Sequence, residues 1–367
     1  MITTVLTVLF LLATAYQIYF WWVKVAPLAW YKAPKGTETK GPPVSVIICA
    51  RNEEENLKKN LPRILNQNYH SFEVIVVNDG STDQTQKVLL DNQKSASILR
   101  IVTLENEDKT TVGKKFALSK GIEKSKNELL LLTDADCCPL TDDWIQKMQE
   151  TIRGDVEIGF GYSPYERRSG SLNLFIRFET VLTAIQYLSF ALAGMPYMGV
   201  GRNLIYKKSL FERVGGFKAH EHIASGDDDL FVNAAANSSN TAIIIDPDTF
   251  TVSTPKTTCS AYIKQKTRHL TTGENYLGKH KRVLGALAFS HFYHYLGGIM
   301  LLNSSMIFVI LTYMARMMVI MFVCRPLYPR LHARDIWKWI PILDVAYLLY
   351  YPLFFLAKIF RKTERWN

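Results

Sequence analysis

The placing of charge along the chain constrains its fold more than any other feature. Residues 1–23 carry no charged side chain, and two further apolar blocks fill most of 284–360. Between them lies a polar stretch of about 240 residues with ordinary globular composition, long enough to bury its own core. A mean hydropathy of +0.01 for the whole chain hides this partition. The layout predicts a water-facing domain held between membrane-embedded ends. Collagen-like, disordered and disulfide-scaffold folds are excluded by composition.

The 43 Lys and Arg against 33 Asp and Glu leave a formal charge of +10. From Lys281 onward, eleven Lys and Arg stand against three acids, so most of the excess flanks apolar segments. There it serves topology and lipid-headgroup contact. The polar domain itself is nearly neutral, which argues against a nucleic-acid partner. The five cysteines are odd in number and lack paired ligand spacing, so no disulfide framework or metal clip is expected, and adjacent Cys137 and Cys138 read as buried small residues.

Met1–Val23 is long enough to cross a bilayer core, and Tyr19, Trp21 and Trp22 supply an interfacial belt. It lacks the basic start and small-residue cleavage site of a signal peptide, so it is expected to stay as an anchor. Lys24, Lys32, Lys35 and Lys40 lie in the linker 24–43, which puts the domain 44–283 in the cytoplasm by the positive-inside rule. Leu284–Leu302 and Met306–Cys324 are expected as two helices joined at Asn303-Ser304-Ser305, with a basic loop at Arg325, Arg330 and Arg334. Trp337–Phe360 contains Pro341, Asp344 and Pro352 and either spans or lies re-entrant, before a basic tail at 361–367. Arg316 falls mid-helix, where a charge finds a partner or snorkels outward.

Within the domain, Val44–Ala50 is a continuous apolar run suited to a strand buried on both faces, followed by the acid-started helix at Arg51–Leu57. Phe72–Val77 and Glu128–Thr133 repeat the pattern, ending at Asn78–Asp83 and at Asp134-Ala135-Asp136. This βαβαβ alternation gathers polar clusters at the carboxyl ends of the strands, where such sheets bind ligands. Two carboxylates one residue apart can hold a hard cation and a neighbouring hydroxyl, and Mg²⁺ or Mn²⁺ prefers a few protein oxygens plus those of a diphosphate.

With Val44–Leu57, Val77–Asp83, Gly113–Gly121, Asp134–Asp136, Gly199–Phe217, Ser225–Leu230 and Gln265–His269 in order, the chain resembles a membrane-bound family 2 glycosyltransferase with the GT-A nucleotide-sugar fold. Its layout is similar to synthases of hyaluronan, cellulose and poly-N-acetylglucosamine. The resemblance implies an α/β Rossmann-like mixed sheet flanked by transmembrane helices, in a bacterial inner membrane. It also implies a UDP-sugar donor, Mg²⁺ or Mn²⁺, and a lipid-linked or polysaccharide acceptor beside membrane lipids, with an oligomer or envelope partner supplying any further helices.

Residue by residue, the resemblance gives Glu53 or Glu54 and Asp79 to the nucleoside and Lys114 to the diphosphate. Asp134 faces the ribose or donor sugar, and Asp136 holds the metal. Asp227 or Asp228 is the general base, since three adjacent carboxylates (Asp227, Asp228, Asp229) repel one another and should raise at least one pKa. Gln265 and Arg268 meet the departing diphosphate. Gly201, Asn203 and His269 shape the acceptor side, His269 standing where processive members carry a stacking tryptophan. One active site needs Asp134 and Asp227 on the same side of the membrane, so the uncharged run Thr180–Gly201 does not cross. The expected activity is inverting transfer to a polysaccharide or lipid-linked acceptor. The alternatives are a single transfer to a membrane lipid (a polyprenyl phosphate, glycolipid or pigment) and a catalytically silent scaffold.

Overall fold

The computed structural model describes residues 1–33, 40–105, 113–223, 225–350 and 352–354. The chain opens with α1 (Ile2–Tyr19), which runs through a π-helical turn at Phe20–Val25 into α2 (Ala26–Ala29). Together they give an apolar helix over Thr3–Ala29, long enough to cross a membrane.

The apolar runs of the polar domain become the parallel strands β1 (Val44–Ala50), β2 (Phe72–Asp79), β3 (Leu99–Leu104) and β4 (Leu129–Asp134). Every residue of β1 is buried, as continuous rather than alternating hydrophobicity requires. Helices α3 (Glu54–Leu65), α4 (Thr85–Ser95) and α5 (Lys115–Lys124) follow the first three strands. Close packing of α5 on the sheet depends on Gly121, where a Cβ would lie 2.8 Å from Ile47 Cγ2. There follow β5 (Cys137–Pro139), α6 (Trp144–Gln149), β6 (Ile158–Phe160), α7 (Ser171–Leu192), β7 (Leu204–Lys207), α8 (Lys208–Arg213) and α9 (Asp229–Ala235). The domain ends with β8 (Thr241–Ile243), β9 (Thr251–Ser253) and α10 (Cys259–Leu270).

The main sheet has seven strands in the order β3-β2-β1-β4-β7-β6-β8, with β7 antiparallel to both neighbours, and β5 pairs with β9 in a small second sheet. From β1 the chain winds outward to β2 and β3 on one side, then returns to β4 on the other. The carboxyl ends of β1 and β4, where Cys49 pairs with Asp134, therefore form the topological switch point at which open α/β sheets place their ligands.

Helix α7 contains most of the Thr180–Gly201 run and is apolar and long enough to cross a bilayer, yet 72% of its most apolar window is buried inside the protein. Its Phe178, Ile185 and Tyr187 belong to the domain core. The Arg177 guanidinium makes two 2.8 Å hydrogen bonds to the Asp335 carboxylate. Its apolar character comes from burial against protein.

The helix expected from Leu284 begins at Gly278. Helix α11 (Gly278–Arg330) covers 53 residues, broken by non-helical backbone at Ser305. Phe10 of α1 stacks on His294 and meets Phe308, while further along the same helix Gln17 contacts Ser290 and Arg316. One half of α11 thus runs antiparallel to α1 and the other parallel, so Ser305 is the turn of a helical hairpin. Both ends of the hairpin return to the side where α2 ends: Arg330 donates to the carbonyls of Leu28, Ala29 and Tyr31.

From Trp337 the described chain forms only short pieces, with a turn of 3₁₀ helix on either side of α12 (Ile340–Ala346). Residues 351 and 355–367, including the basic tail, lie outside the described residues. α12 brings Asp344 to Arg316: two guanidinium nitrogens donate to the carboxylate at 2.6 and 3.2 Å, and Gln17 Oε1 accepts a third bond at 3.2 Å. Arg316 is 1% exposed, so the mid-helix charge has its partner and does not snorkel. Arg316→Met should lower the melting stability of the solubilised protein by about 3–5 kcal/mol, because Asp344 stays buried without its cation. Replacing both, with Asp344→Leu, should restore most of that loss; differential scanning fluorimetry in one detergent compares the three proteins.

Candidate active site

A cavity of about 1300 Å³ opens at the switch point between β1 and β4. Its polar end is walled by Glu53, Lys114, Asp134, Asp136, Asp228 and Arg268. Lys114, just before α5, pairs with Asp134 and reaches Asp227 at 3.7 Å. Burial would disfavour its charge, but Asp134 and Asp227 outweigh this and hold it well above the usual lysine range. Reciprocally, burial would raise Asp134, and the Lys114 charge with its hydrogen bond brings it below the ordinary value. Lys115 points elsewhere: it is buried and donates to the carbonyls of His220 (2.6 Å) and Ile223 (2.8 Å), fixing the loop before the acidic motif.

Asp136 is raised by burial and then by the charge of Asp134. It accepts from Ser253 Oγ at 3.2 Å. Among the described residues, Asp134, Asp136 and Cys137 place ligand atoms within 4.8 Å of one another. The Cys137 thiol is pushed well up, chiefly by burial, and so stays protonated. The remaining pair, two carboxylates whose mutual repulsion a cation would relieve, fits a hard divalent ion.

The acidic motif sits on the loop into α9. Gly226, at φ +90°, makes the turn that L side chains rarely adopt. Asp228 accepts from the backbone N–H of Gly201 (2.8 Å) and of Asp229 (2.7 Å). Burial first, then the charges of Asp227 and Asp229, push it up to about 7. Asp229 faces the other way and accepts from the hydroxyls of Thr272 and Tyr276, the latter at 2.7 Å, so it anchors the chain after α10.

α10 is capped by Thr258, whose hydroxyl accepts from the Ala261 N–H at 3.2 Å. It presents Gln265, Arg268 and His269 to the cavity. Gln265 donates to the Tyr165 hydroxyl at 3.2 Å.

Of the two glutamates after β1, Glu53 lines the cavity and is raised mainly by burial, whereas Glu54 pairs with Lys58 (2.7 Å) on the outer face of α3. Asp79 is buried at the carboxyl end of β2, one strand away from the cavity wall, where it pairs in the sheet with Leu104. Asn203, expected on the acceptor side, does not line the cavity. It is fully buried, donates to the carbonyls of Tyr162 and Thr249, and accepts from Trp144 Nε1 at 3.0 Å, so it pins β7 to the core. Gly201 does face the cavity.

Arg202 is the site residue the sequence left unmarked. Its guanidinium lies 4.5 Å from the Tyr165 ring centre and pulls on both Asp134 and Asp136. Its Nη1 is buried without a hydrogen-bond partner among the described residues. The available signal was its position directly after Gly201, in a loop already matched to the family.

Comparison with known proteins identifies the domain that carries Glu53, Lys114, Asp134 and Asp136. Residues 45–215 match the family described as Glycosyl transferase family 2. The chain carries a family 2 glycosyltransferase domain. It is 27% identical over 203 residues to a poly-beta-1,6-N-acetyl-D-glucosamine synthase of Staphylococcus epidermidis, covering 54% of this chain and 48% of that protein. It is 28% identical over 208 residues to a 4,4'-diaponeurosporenoate glycosyltransferase of Staphylococcus haemolyticus, covering 54% and 53%. The chain thus spans about half the length of these relatives. The fold is that of a Pyrobaculum calidifontis mannosyltransferase solved with GDP-Man and Mn²⁺, at a TM-score of 0.61 and 19% identity over 95% of this chain and 99% of that one.

Asp228 accepts a proton only when ionised. With its pKa raised from 3.8 to about 7, a general base at Asp228 would make kcat/KM for sugar transfer climb through an acid limb near pH 7 and level off above it. Asp228→Asn should lower turnover by about 10²-fold or more, while Asp227→Asn keeps the limb but moves it to lower pH, since the Asp227 charge helps to raise Asp228. A pH–rate profile from pH 5 to 9 checks both.

Proposed function

We propose that the chain transfers one sugar from a nucleotide-sugar donor, UDP-linked by family habit, to a hydroxyl or phosphate oxygen of a membrane lipid, with inversion at the anomeric carbon. The observation that carries this is the reach of the cavity. The cavity that holds the carboxylates is lined as well by Leu284, Leu287 and Ala288 of α11 and by Tyr347 and Tyr350 of the segment after α12. At about 1300 Å³ it exceeds the usual volume for one small ligand, about 300–1,000 Å³, and its far end is apolar where the membrane helices begin.

In this scheme Asp228 takes the proton from the acceptor. The acceptor oxygen attacks the anomeric carbon as the bond to the diphosphate oxygen breaks on the opposite face. Arg268, Arg202 and Lys114 balance the charge that develops on the departing nucleoside diphosphate. Asp134 and Asp136 would hold a divalent cation, which supplies further charge neutralisation at the diphosphate. Glu53, which lines the cavity, would accept from the nucleoside. His269 offers the acceptor a smaller face than a stacking tryptophan, which suits a single transfer. Lys24, Lys32, Arg325 and Arg330 at the domain-side ends of the helices support a cytoplasmic catalytic domain by the positive-inside rule.

The relative named as a poly-beta-1,6-N-acetyl-D-glucosamine synthase favours a second outcome, chain elongation. Protein in nanodiscs, given Mn²⁺, a panel of radiolabelled nucleotide sugars and membrane lipid extract, separates the two. Label moving as one sugar into the organic phase supports single lipid transfer; an aqueous high-molecular-weight ladder overturns it in favour of polymerisation. Asp136→Asn should abolish metal-dependent turnover with its thermal unfolding unchanged, and full activity in that variant would overturn the metal assignment.

A further inference from the structure

Glu179 is a buried carboxylate that the chemistry above does not use. It lies in α7 directly before the uncharged run and is 2% exposed. Its partners come from three parts of the chain. Lys266 of α10 places its ammonium 2.5 Å from Oε2. The Tyr262 hydroxyl, on the same helix, donates to Oε2 at 3.4 Å. Thr183, one turn along α7, donates to Oε1 at 3.0 Å, and the Tyr350 hydroxyl approaches it at 3.5 Å from the segment that follows α12.

Lys266 lies within the Gln265–His269 motif, beside Gln265 and two residues before Arg268. Successive helical residues point about 100° apart. The Lys266–Glu179 pair and the Gln265–Tyr165 hydrogen bond therefore hold α10 on two adjoining faces and fix its roll about its own axis. Arg268 is carried with that roll. With side-chain exposures of 13% for Lys266 and 3% for Glu179, the pair is shielded from water, so neither charge is easily left alone.

We propose that Glu179 is a positioning residue: by pairing with Lys266 it sets the roll of α10 that aims Arg268 at the leaving diphosphate, and through Tyr350 it ties that alignment to the segment arriving from the membrane bundle. The proposal rests on the role given to Arg268 above. The carboxylate itself touches neither donor nor acceptor.

The test compares Glu179→Gln, Lys266→Met, the double variant and Arg268→Ala in nanodiscs, with active protein counted by nucleoside diphosphate titration. Glu179→Gln keeps the shape and two hydroxyl contacts but loses the charge pair. It should lower kcat by about 10- to 100-fold while leaving donor KM within about twofold, because a misaimed Arg268 is missed chiefly in the transition state. The double variant should be no worse than the worse single, since both remove one interaction. Exchanging the charges, Glu179→Lys with Lys266→Glu, should recover part of kcat. If Arg268→Ala is inactive while Glu179→Gln keeps wild-type kcat, the positioning role is overturned and the role of Arg268 stands. If Arg268→Ala is itself active, the role of Arg268 fails first and the proposal with it. A Glu179→Gln defect that appears only as fewer active sites, with kcat per site unchanged, also overturns it.

Discussion

Lys114 joins the two acidic motifs by charge: its ammonium pairs with Asp134 at the end of β4 and reaches Asp227 on the loop into α9. Six carboxylates, those of Glu53, Asp134, Asp136, Asp227, Asp228 and Asp229, line this one cavity. In a shielded space their repulsion would push the walls apart or neutralise the acids. Lys114, Arg202 and Arg268 supply the opposing charge, and backbone N–H groups from Gly201 and Asp229 steady Asp228. The resulting site contains lowered and raised carboxylates side by side, Asp134 held ionised and Asp228 poised near neutrality. That separation is what a site needs if one acid is to hold cations and another is to take a proton.

The same physics recurs at the other end of the molecule. Arg316, Asp344 and Gln17 unite α1, the returning half of α11 and α12 around one buried charge pair. Because Asp344 docks there, Tyr347 and Tyr350 come to line the cavity, and Tyr350 meets Glu179. A chain of buried contacts thus runs from the bundle to α10, and the cavity has a charged end and an apolar end.

Much of this was legible in the sequence because each signal was carried by a run of residues. Continuous apolar stretches gave the buried strands, the acids at their ends gave the switch point, and the absence of charge gave the helices with their turn at Ser305. What stayed hidden or open concerns single residues. Glu53 and Glu54 are equivalent in composition, and only the start of α3 decides which one turns inward. Asn203 has the chemistry of an acceptor contact, but Trp144, Tyr162 and Thr249, distant in sequence, claim all its hydrogen bonds. Arg202, Glu179 and the Arg316–Asp344 pair depend on long-range contacts that no local pattern encodes.

In the proposed function an amphiphilic acceptor reaches Asp228 from the apolar end of the cavity. A photo-crosslinking amino acid at Ala288, irradiated in native membranes during turnover with a radiolabelled nucleotide sugar, tests it directly. The account predicts a lipid adduct on the protein that carries the transferred label and disappears in Asp228→Asn. Active protein that yields unlabelled bulk-lipid adducts alone, with the label passing into aqueous polymer, would contradict it.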